Sequence, residues 1–457
     1  VPETVIELDV SVPWQPPEPP ALRRGPQGRW IAVAVVLAVT LGLLVSAGPR
    51  SGAGLLYTID QQILRAQAAG GKLLLARYQG TDPGPMIEAH SLTGGELLWQ
   101  RPAEVQQQLV TAGDDVVLLV SEDRTGDGGS NTFVVLDAAT GRDLWTRSHV
   151  TFTGTTGDVV VLEEVPTERR VEIVWPASDA DVNRAFAQPE RRFLGLSART
   201  GAQVWAVTVP QGSDMNVIYA DMYRSRLDRL DVLSRAGQLT RWDTRTGRVR
   251  ATHQLAWSGV SAMFDAGWHD DTGRAADRVV VHPDGSPGAQ VYELPTGRLL
   301  FRWPGAQGSG LFRCATDLFC AGDGDGMDAY DSTTGRHRWH LDEQTQVLGM
   351  AGPRLITGSR HDPSDPGPVA IVDSRTGTVV KQLPGWHVLT GGRRPLLWRS
   401  VDMRTALLGE LDPATGVVAV FARAENWFGN PECSVDGDAL ACVVVGGVSV
   451  WRLPSRH

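Results

Sequence analysis

The stretch at 136–145 reads LDAATGRDLW, and its order of residue types returns along the chain. An acidic residue is followed by two variable positions, Thr-Gly, and an apolar run that often holds an aromatic. The other copies are HSLTGGELLW at 90–99, LSARTGAQVW at 196–205, WDTRTGRVRA at 242–251, YELPTGRLLF at 292–301, YDSTTGRHRW at 330–339, VDSRTGTVVK at 372–381 and LDPATGVVAV at 411–420. The acidic position is read as Asp at 137, 243, 331, 373 and 412 and Glu at 293, replaced by His90 and Ser197. The glycines, Gly94, Gly141, Gly201, Gly247, Gly297, Gly335, Gly377 and Gly416, lie 38 to 60 residues apart. A self-similar period in this range marks a propeller or a solenoid.

Each copy reads as a β-hairpin. A carboxylate at the start of the turn can accept hydrogen bonds from N–H groups further along it. Glycine supplies the φ > 0 residue that closes a short hairpin loop. The aromatics Trp99, Trp145, Trp205, Phe301 and Trp339 are large enough to pack between neighbouring sheets. Between copies lie two further apolar runs, such as QQLVTAG and DVVLLVSED after Trp99, or QVLGMAG and PRLITGS after Trp339. Each unit therefore has four short strands, with the Thr-Gly turn joining the third to the fourth. This predicts an all-β chain: a β-propeller of four-stranded blades. LLYTID at 55–60 reads as a fourth strand with nothing before it, and VSVWRLP at 448–454 as a third strand with nothing after it. Pairing them would close the ring with a composite blade and remove exposed edges. The expected count is eight blades, with nine as the alternative.

The signature resembles the repeat of the pyrroloquinoline-quinone-type propellers, over about residues 55–453. That superfamily holds quinoprotein dehydrogenases and also non-catalytic members such as the outer-membrane assembly factor of the BamB kind. The quinoprotein reading implies an adjacent Cys-Cys pair, a Ca²⁺ site and a catalytic Asp. This chain has four cysteines, Cys314, Cys320, Cys433 and Cys442, none adjacent to another. The resemblance thus implies the fold, and the expected function is a non-catalytic scaffold binding a protein or ligand, with no catalytic, cofactor or metal residues assigned. A quinone-dependent oxidoreductase is the alternative.

Ahead of the repeats, Trp30 to Ala47 reads WIAVAVVLAVTLGLLVSA, uncharged and about 27 Å long as a helix, enough to cross a bilayer. Arg23, Arg24 and Arg29 precede it, so the N-terminus is expected in the cytoplasm and the rest outside. The expected organisation is a disordered tail at 1–29, a single membrane helix at 30–48, a linker at 49–54 and the propeller at 55–457. Cleavage after Ala47 is the competing reading and places the propeller outside the cytoplasm as well. There, disulfides 314–320 and 433–442 are the simplest of three pairings, each within one local hairpin. The chain has 457 residues and a formal net charge of −9 without a basic stripe, which argues against a nucleic-acid partner.

Two loops offer oxygen ligands: GDGDGMD at 322–328, with Asp323, Asp325 and Asp328, and WHDDTG at 268–273, with His269, Asp270 and Asp271. The first lacks the Glu of a calcium loop, and adjacent ligands in the second converge poorly, so both read as turns. Connections between second and third strands are long at about 79–85, 123–131, 165–191 and 359–367, all on one face of the ring. That face is expected to hold the partner, and deletion of 176–190 should abolish capture without harming the fold.

Overall fold

In the second unit the Asp137 carboxylate sits at the mouth of its turn. It accepts hydrogen bonds from the Ala139 and Thr140 N–H groups at 3.0 and 2.9 Å and from the Thr140 hydroxyl at 2.9 Å. Gly141 N–H donates to the Asp137 carbonyl at 2.8 Å, with φ at 69°. A Cβ at Gly141 would also lie 2.5 Å from the Trp99 ring of the preceding unit. Glycine is therefore required twice, for the left-handed backbone and for the approach of the indole. The first unit is offset by one residue from its sequence reading. There the turn glycine is Gly95, with φ 77° and its N–H bonded to the Ser91 carbonyl, so Ser91 rather than His90 holds the acidic position and Gly95 rather than Gly94 closes the turn.

The computed structural model describes residues 54–455 except 79–84, 105–106, 123–130, 166–189, 220–226, 260, 266–277, 285–287, 306–309, 323–325, 345, 359–368, 391–393 and 430. The N-terminal tail, the apolar segment and most of the linker, 1–53, lie outside these residues. No helix occurs among the described residues, and none long and apolar enough to cross a membrane. All the described strands pair antiparallel, and strands consecutive in sequence are neighbours in each sheet. Seven sheets have four strands. The eighth has seven, because Asp143–Thr156 is the fourth strand of the second unit and the first strand of the third, bending at His149, φ 57°. Read this way, the described residues form eight Thr-Gly units and one composite unit. In the composite, Gly54–Asp60 pairs with Gly447–Arg452, Leu55 lying opposite Trp451 and Ile59 opposite Val448. Ala439–Val444 and Cys433–Asp436 complete that sheet. The two orphan strands of the sequence reading are thus partners.

The core lies between sheets. Strand residues alternate between the two faces of a sheet, so each unit packs on both neighbours. Leu74, Ile87 and Ala89 of the first unit meet Leu109, Val117 and Leu119 of the second. Val116, Leu118 and Val135 turn the other way, toward Val160, Leu162 and Leu194. Similar clusters join each further unit to the next, and two join the composite to its neighbours: Ala439, Ala441, Val448 and Val450 against Leu73 and Leu75, and Leu440, Cys442 and Trp451 against Trp398, Leu408 and Phe421. Four tryptophans of the repeat add a directed bond. Trp99, Trp145, Trp205 and Trp339 donate their indole N–H to the carbonyls of Ala138, Ala198, Thr244 and Ser374 at 2.8–2.9 Å. Each acceptor directly follows the acidic position of the next unit.

The structure holds disulfides Cys314–Cys320 and Cys433–Cys442 and no free cysteine. Each bridges the first two strands of one sheet, and Cys433 and Cys442 are directly opposite each other, with Cα atoms 4.1 Å apart.

Candidate interaction surface

Most loops singled out in the sequence lie outside the described residues: 79–84, 123–130, 166–189 and 359–368, together with His269, Asp270, Asp271, Asp323 and Asp325. Asp328 is described; its Oδ2 accepts from the Tyr330 hydroxyl at 3.4 Å, and its other partners are histidines. Its Oδ1 faces His337 Nε2 and His340 Nδ1, each at 2.9 Å, and His340 Nε2 lies 3.3 Å from Asp342. His337 and His340 share a face because Arg338 is an extra residue in that strand: Tyr330 pairs with His337 and Ala329 with Trp339. Partial burial opposes charge on Asp328, but the hydrogen bonds from His340 and His337 outweigh it and hold the carboxyl below its usual range. The hydrogen bond to Asp328 in turn raises the His340 pKa. Among the described residues no group of three or more His, Cys, Asp or Glu is disposed to hold a metal ion.

A buried ion network in the fourth unit escaped the sequence reading. Strand Leu227–Leu233, LDRLDVL, places Leu230 and Val232 against the third unit and Leu233 against the fifth. By alternation Arg229 and Asp231 share the Leu233 face. Both are fully buried. Asp231 Oδ2 accepts from Arg229 Nε at 3.1 Å and faces Arg241 Nε at 3.5 Å, while Asp228 and Asp243 hold Arg250. Burial raises the Asp231 pKa against the pull of Arg229 and Arg241, and burial lowers that of Arg241. Three guanidiniums against three carboxylates balance in charge, which suits an ionic lock across three strands of one sheet rather than a charged ligand site.

The surface with the clearest means of binding lies where the eighth unit meets the composite. Three short connections converge there: the turn 402–404, the start of the next link at 426–429 and the turn 445–446. Trp427 N–H donates to the Arg404 carbonyl at 2.9 Å, and Val445 N–H to the Asn426 carbonyl at 2.8 Å. The joined backbones present Met403, Phe428 and Val445, which are 89, 76 and 62 % exposed, with Val401 beside them. Exposed side chains of both signs rim them, Asp402, Arg404, Arg423 and Glu425. Beneath runs an aromatic row: His387 stacks on Trp398 at 4.4 Å, Trp398 meets Trp427 at 5.6 Å, and Trp427 meets Trp451 at 6.5 Å. The three tryptophans are buried, and among the described residues none of their indole N–H groups has a hydrogen-bond acceptor. A cavity of about 90 Å³ opens beside Trp451, lined also by Leu55, Thr58, Ser449, Arg423 and Asn426. Asn426 is held at φ 57°, a conformation few non-glycine residues adopt. The turns 402–404 and 445–446 join the second and third strands of their units, so the contact residues sit on short connections.

A family model described as outer membrane protein assembly factor BamB matches residues 84–264. No curated protein matches the chain. Among solved structures, BamB from Moraxella catarrhalis is 15 % identical with a TM-score of 0.43, covering 88 % of this chain and 100 % of its own. The C-terminal WD40 domain of Sif2 is 11 % identical with a TM-score of 0.40, covering 89 % of this chain and 100 % of its own. Quinohemoprotein alcohol dehydrogenase from Comamonas testosteroni is 12 % identical with a TM-score of 0.39, covering 89 % of this chain and 77 % of its own.

Proposed function

We propose that this protein, a PQQ-like β-propeller repeat protein, is a non-catalytic scaffold that binds a protein partner through the surface where its eighth unit meets the composite. The observation that carries the reading is the exposed apolar group Met403, Phe428 and Val445 on a backbone fixed by cross-connection hydrogen bonds. Apolar groups rimmed by polar side chains mark interaction sites. A rim of both signs suits a protein better than an anionic bilayer, which would call for cations alone. The residues present do not fit a quinone site of the dehydrogenase kind. That site needs neighbouring cysteines, and all four here are taken up in two hairpin bridges on separate sheets.

The ring in this proposal has nine blades, one more than the count expected from sequence. Nine apolar clusters, each shared by consecutive units, support it. The scaffold is anchored by the segment Trp30–Ala47 with its propeller outside the cytoplasm. The arginines before that segment and the two disulfides support this placement. A photo-crosslinking residue at position 428 of the full chain in its native membrane tests the reading. A discrete adduct, absent when the residue sits at exposed position 298 among the Thr-Gly turns, is the expected outcome. No adduct at 428, or the same adducts at both positions, overturns it.

A further inference from the structure

We propose that the sixth unit carries an acid-tightened clasp: a proton taken up by His340 fastens the outer strand His337–Asp342 to the third strand Gly326–Asp331 through Asp328. The clasp belongs to the sixth unit and owes nothing to the partner surface on the eighth.

The strand pairing assembles it. Asp328 and His340 stand directly opposite each other in the ladder, and the extra residue Arg338 brings His337 onto their face. One oxygen, Asp328 Oδ1, therefore faces both His337 Nε2 and His340 Nδ1, each at 2.9 Å. The other ring nitrogen of His340, Nε2, lies 3.3 Å from Asp342. Both nitrogens of this ring thus face carboxylates. A neutral imidazole has one N–H and one lone pair, so one contact sets a lone pair against a carboxylate, whereas the imidazolium donates to both. The neutral ring keeps its N–H on Asp328, the shorter contact, and Nε2 takes its proton from water. The His340 side chain is 42 % exposed, so water reaches it. The ring also lies close over Gly326, where a Cβ would come within 2.8 Å of it, so the glycine lets the clasp seat. Arg338 turns away to Asp331 and Asp317, and the charges that act on His340 are those of Asp328 and Asp342. Asp323 and Asp325, in the connection before Gly326, lie outside the described residues.

The pH window follows from the two partners. The hydrogen bond to Asp328 raises the His340 pKa against burial, and the charges of Asp328 and Asp342 raise it further. A histidine whose pKa is higher folded than unfolded adds stability that is complete below its unfolded value, about 6.5, and is lost as pH rises through the folded one. Burial raises the Asp328 pKa, but the bonds from His340 and His337 lower it more. Its contribution is complete above the unfolded value, about 3.8, and is lost as pH falls through the folded one. The clasp is therefore whole between about pH 4 and about pH 6.5, and the rim of the sixth unit is firmer in a mildly acidic medium than in a neutral one.

The test is hydrogen exchange of the full chain in detergent, read by mass spectrometry with intrinsic exchange rates divided out. Opening of the segment 337–342 should become about two- to fivefold rarer between about pH 8 and about pH 6. The outer strand Val379–Leu383 of the seventh unit, which has no histidine, should not change. His340→Gln and Asp328→Asn, at partly exposed positions, should each remove most of the response. In an NMR titration the ring resonance of His340, identified by its loss in His340→Gln, should titrate above the ordinary histidine value of about 6.5. Opening equally frequent at both pH values, a response that persists in either variant, or a titration at or below that value overturns the proposal.

Discussion

Two groups of tryptophan fill this molecule in opposite ways. Trp99, Trp145, Trp205 and Trp339 lie between repeat units, and each indole finds a carbonyl of the next unit at 2.8–2.9 Å. Trp398, Trp427 and Trp451 lie where the ring closes, are as deeply buried, and find none among the described residues. The cause is in the repeat itself. Each acceptor is the carbonyl after the acidic turn position, so a Thr-Gly turn offers one to an indole on the fourth strand of the unit before it, as four do here. Trp398, Trp427 and Trp451 stand instead on a second strand, a link and a third strand, away from the fourth-strand position that meets such a carbonyl. Closure is achieved there by apolar area, and donors are left over. Where the repeat places an indole on a fourth strand its donor is met, and donors are left over at three tryptophans that stand elsewhere.

The contrast predicts that the repeat interfaces break hard. Asp231→Ala leaves Arg229 and Arg241 buried without their shared carboxylate and should cost about 3–5 kcal/mol. Trp205→Ala removes a ring packed against Val207 and Leu230 and should cost a similar ~3–5 kcal/mol. Chemical denaturation midpoints measure both. A loss below about 1 kcal/mol at either position would mean that the interface is less tightly built than its burial indicates.

Much of this was legible in the chain. The Thr-Gly copies gave strand order, turn chemistry and the inter-sheet role of the aromatics, because each is fixed by local residue type at a fixed offset. The closing pair 55–60 and 448–454 was legible by subtraction, as strands left without partners. The one-residue offset at Ser91 and Gly95 was missed because two glycines stand side by side there, and only backbone φ tells which closes the turn. The ion network was missed because charges in a strand normally read as solvent-facing. LDRLDVL carried a signal nonetheless: its counterparts VVLLVSE and VVVLEE are apolar where it has Arg229 and Asp231. The exposed apolar group proposed as a binding surface was illegible for a different reason. Met403, Phe428 and Val445 stand far apart in sequence on short connections and meet only through hydrogen bonds that closure creates.

The turns themselves offer a smaller effect with a definite sign. Hydrogen bonds from the Thr140 and Thr415 hydroxyls, and from the Arg338 guanidinium, hold Asp137, Asp412 and Asp331 below the usual carboxylate range. In Asp243 and Asp373 burial works the other way and hydrogen bonds from Arg250 and Thr376 outweigh it. A carboxylate whose pKa is lower folded than unfolded adds stability above its unfolded value, about 3.8, and loses it as pH falls through the folded one. The denaturation midpoint should therefore decline as pH drops below about 4. Asp331→Asn should flatten that decline, whereas Ser197→Ala, in a Thr-Gly turn with no carboxylate at that position, should leave its slope unchanged.

The smallest expected effect bears most directly on the two groups of indoles. Trp205→Phe removes a donor and leaves the Thr244 carbonyl buried without it, so the loss includes a hydrogen bond of about 1 kcal/mol and the desolvation of its acceptor. Trp427→Phe removes a comparable volume but takes away a donor that had no acceptor. The two changes shrink the core alike, so their difference isolates the hydrogen bond. Trp427→Phe should therefore cost less by about 1 kcal/mol or more, read as a difference in denaturation midpoint. Equal costs would mean that the closing indoles are satisfied after all, and that the two groups of tryptophan do not differ in hydrogen bonding.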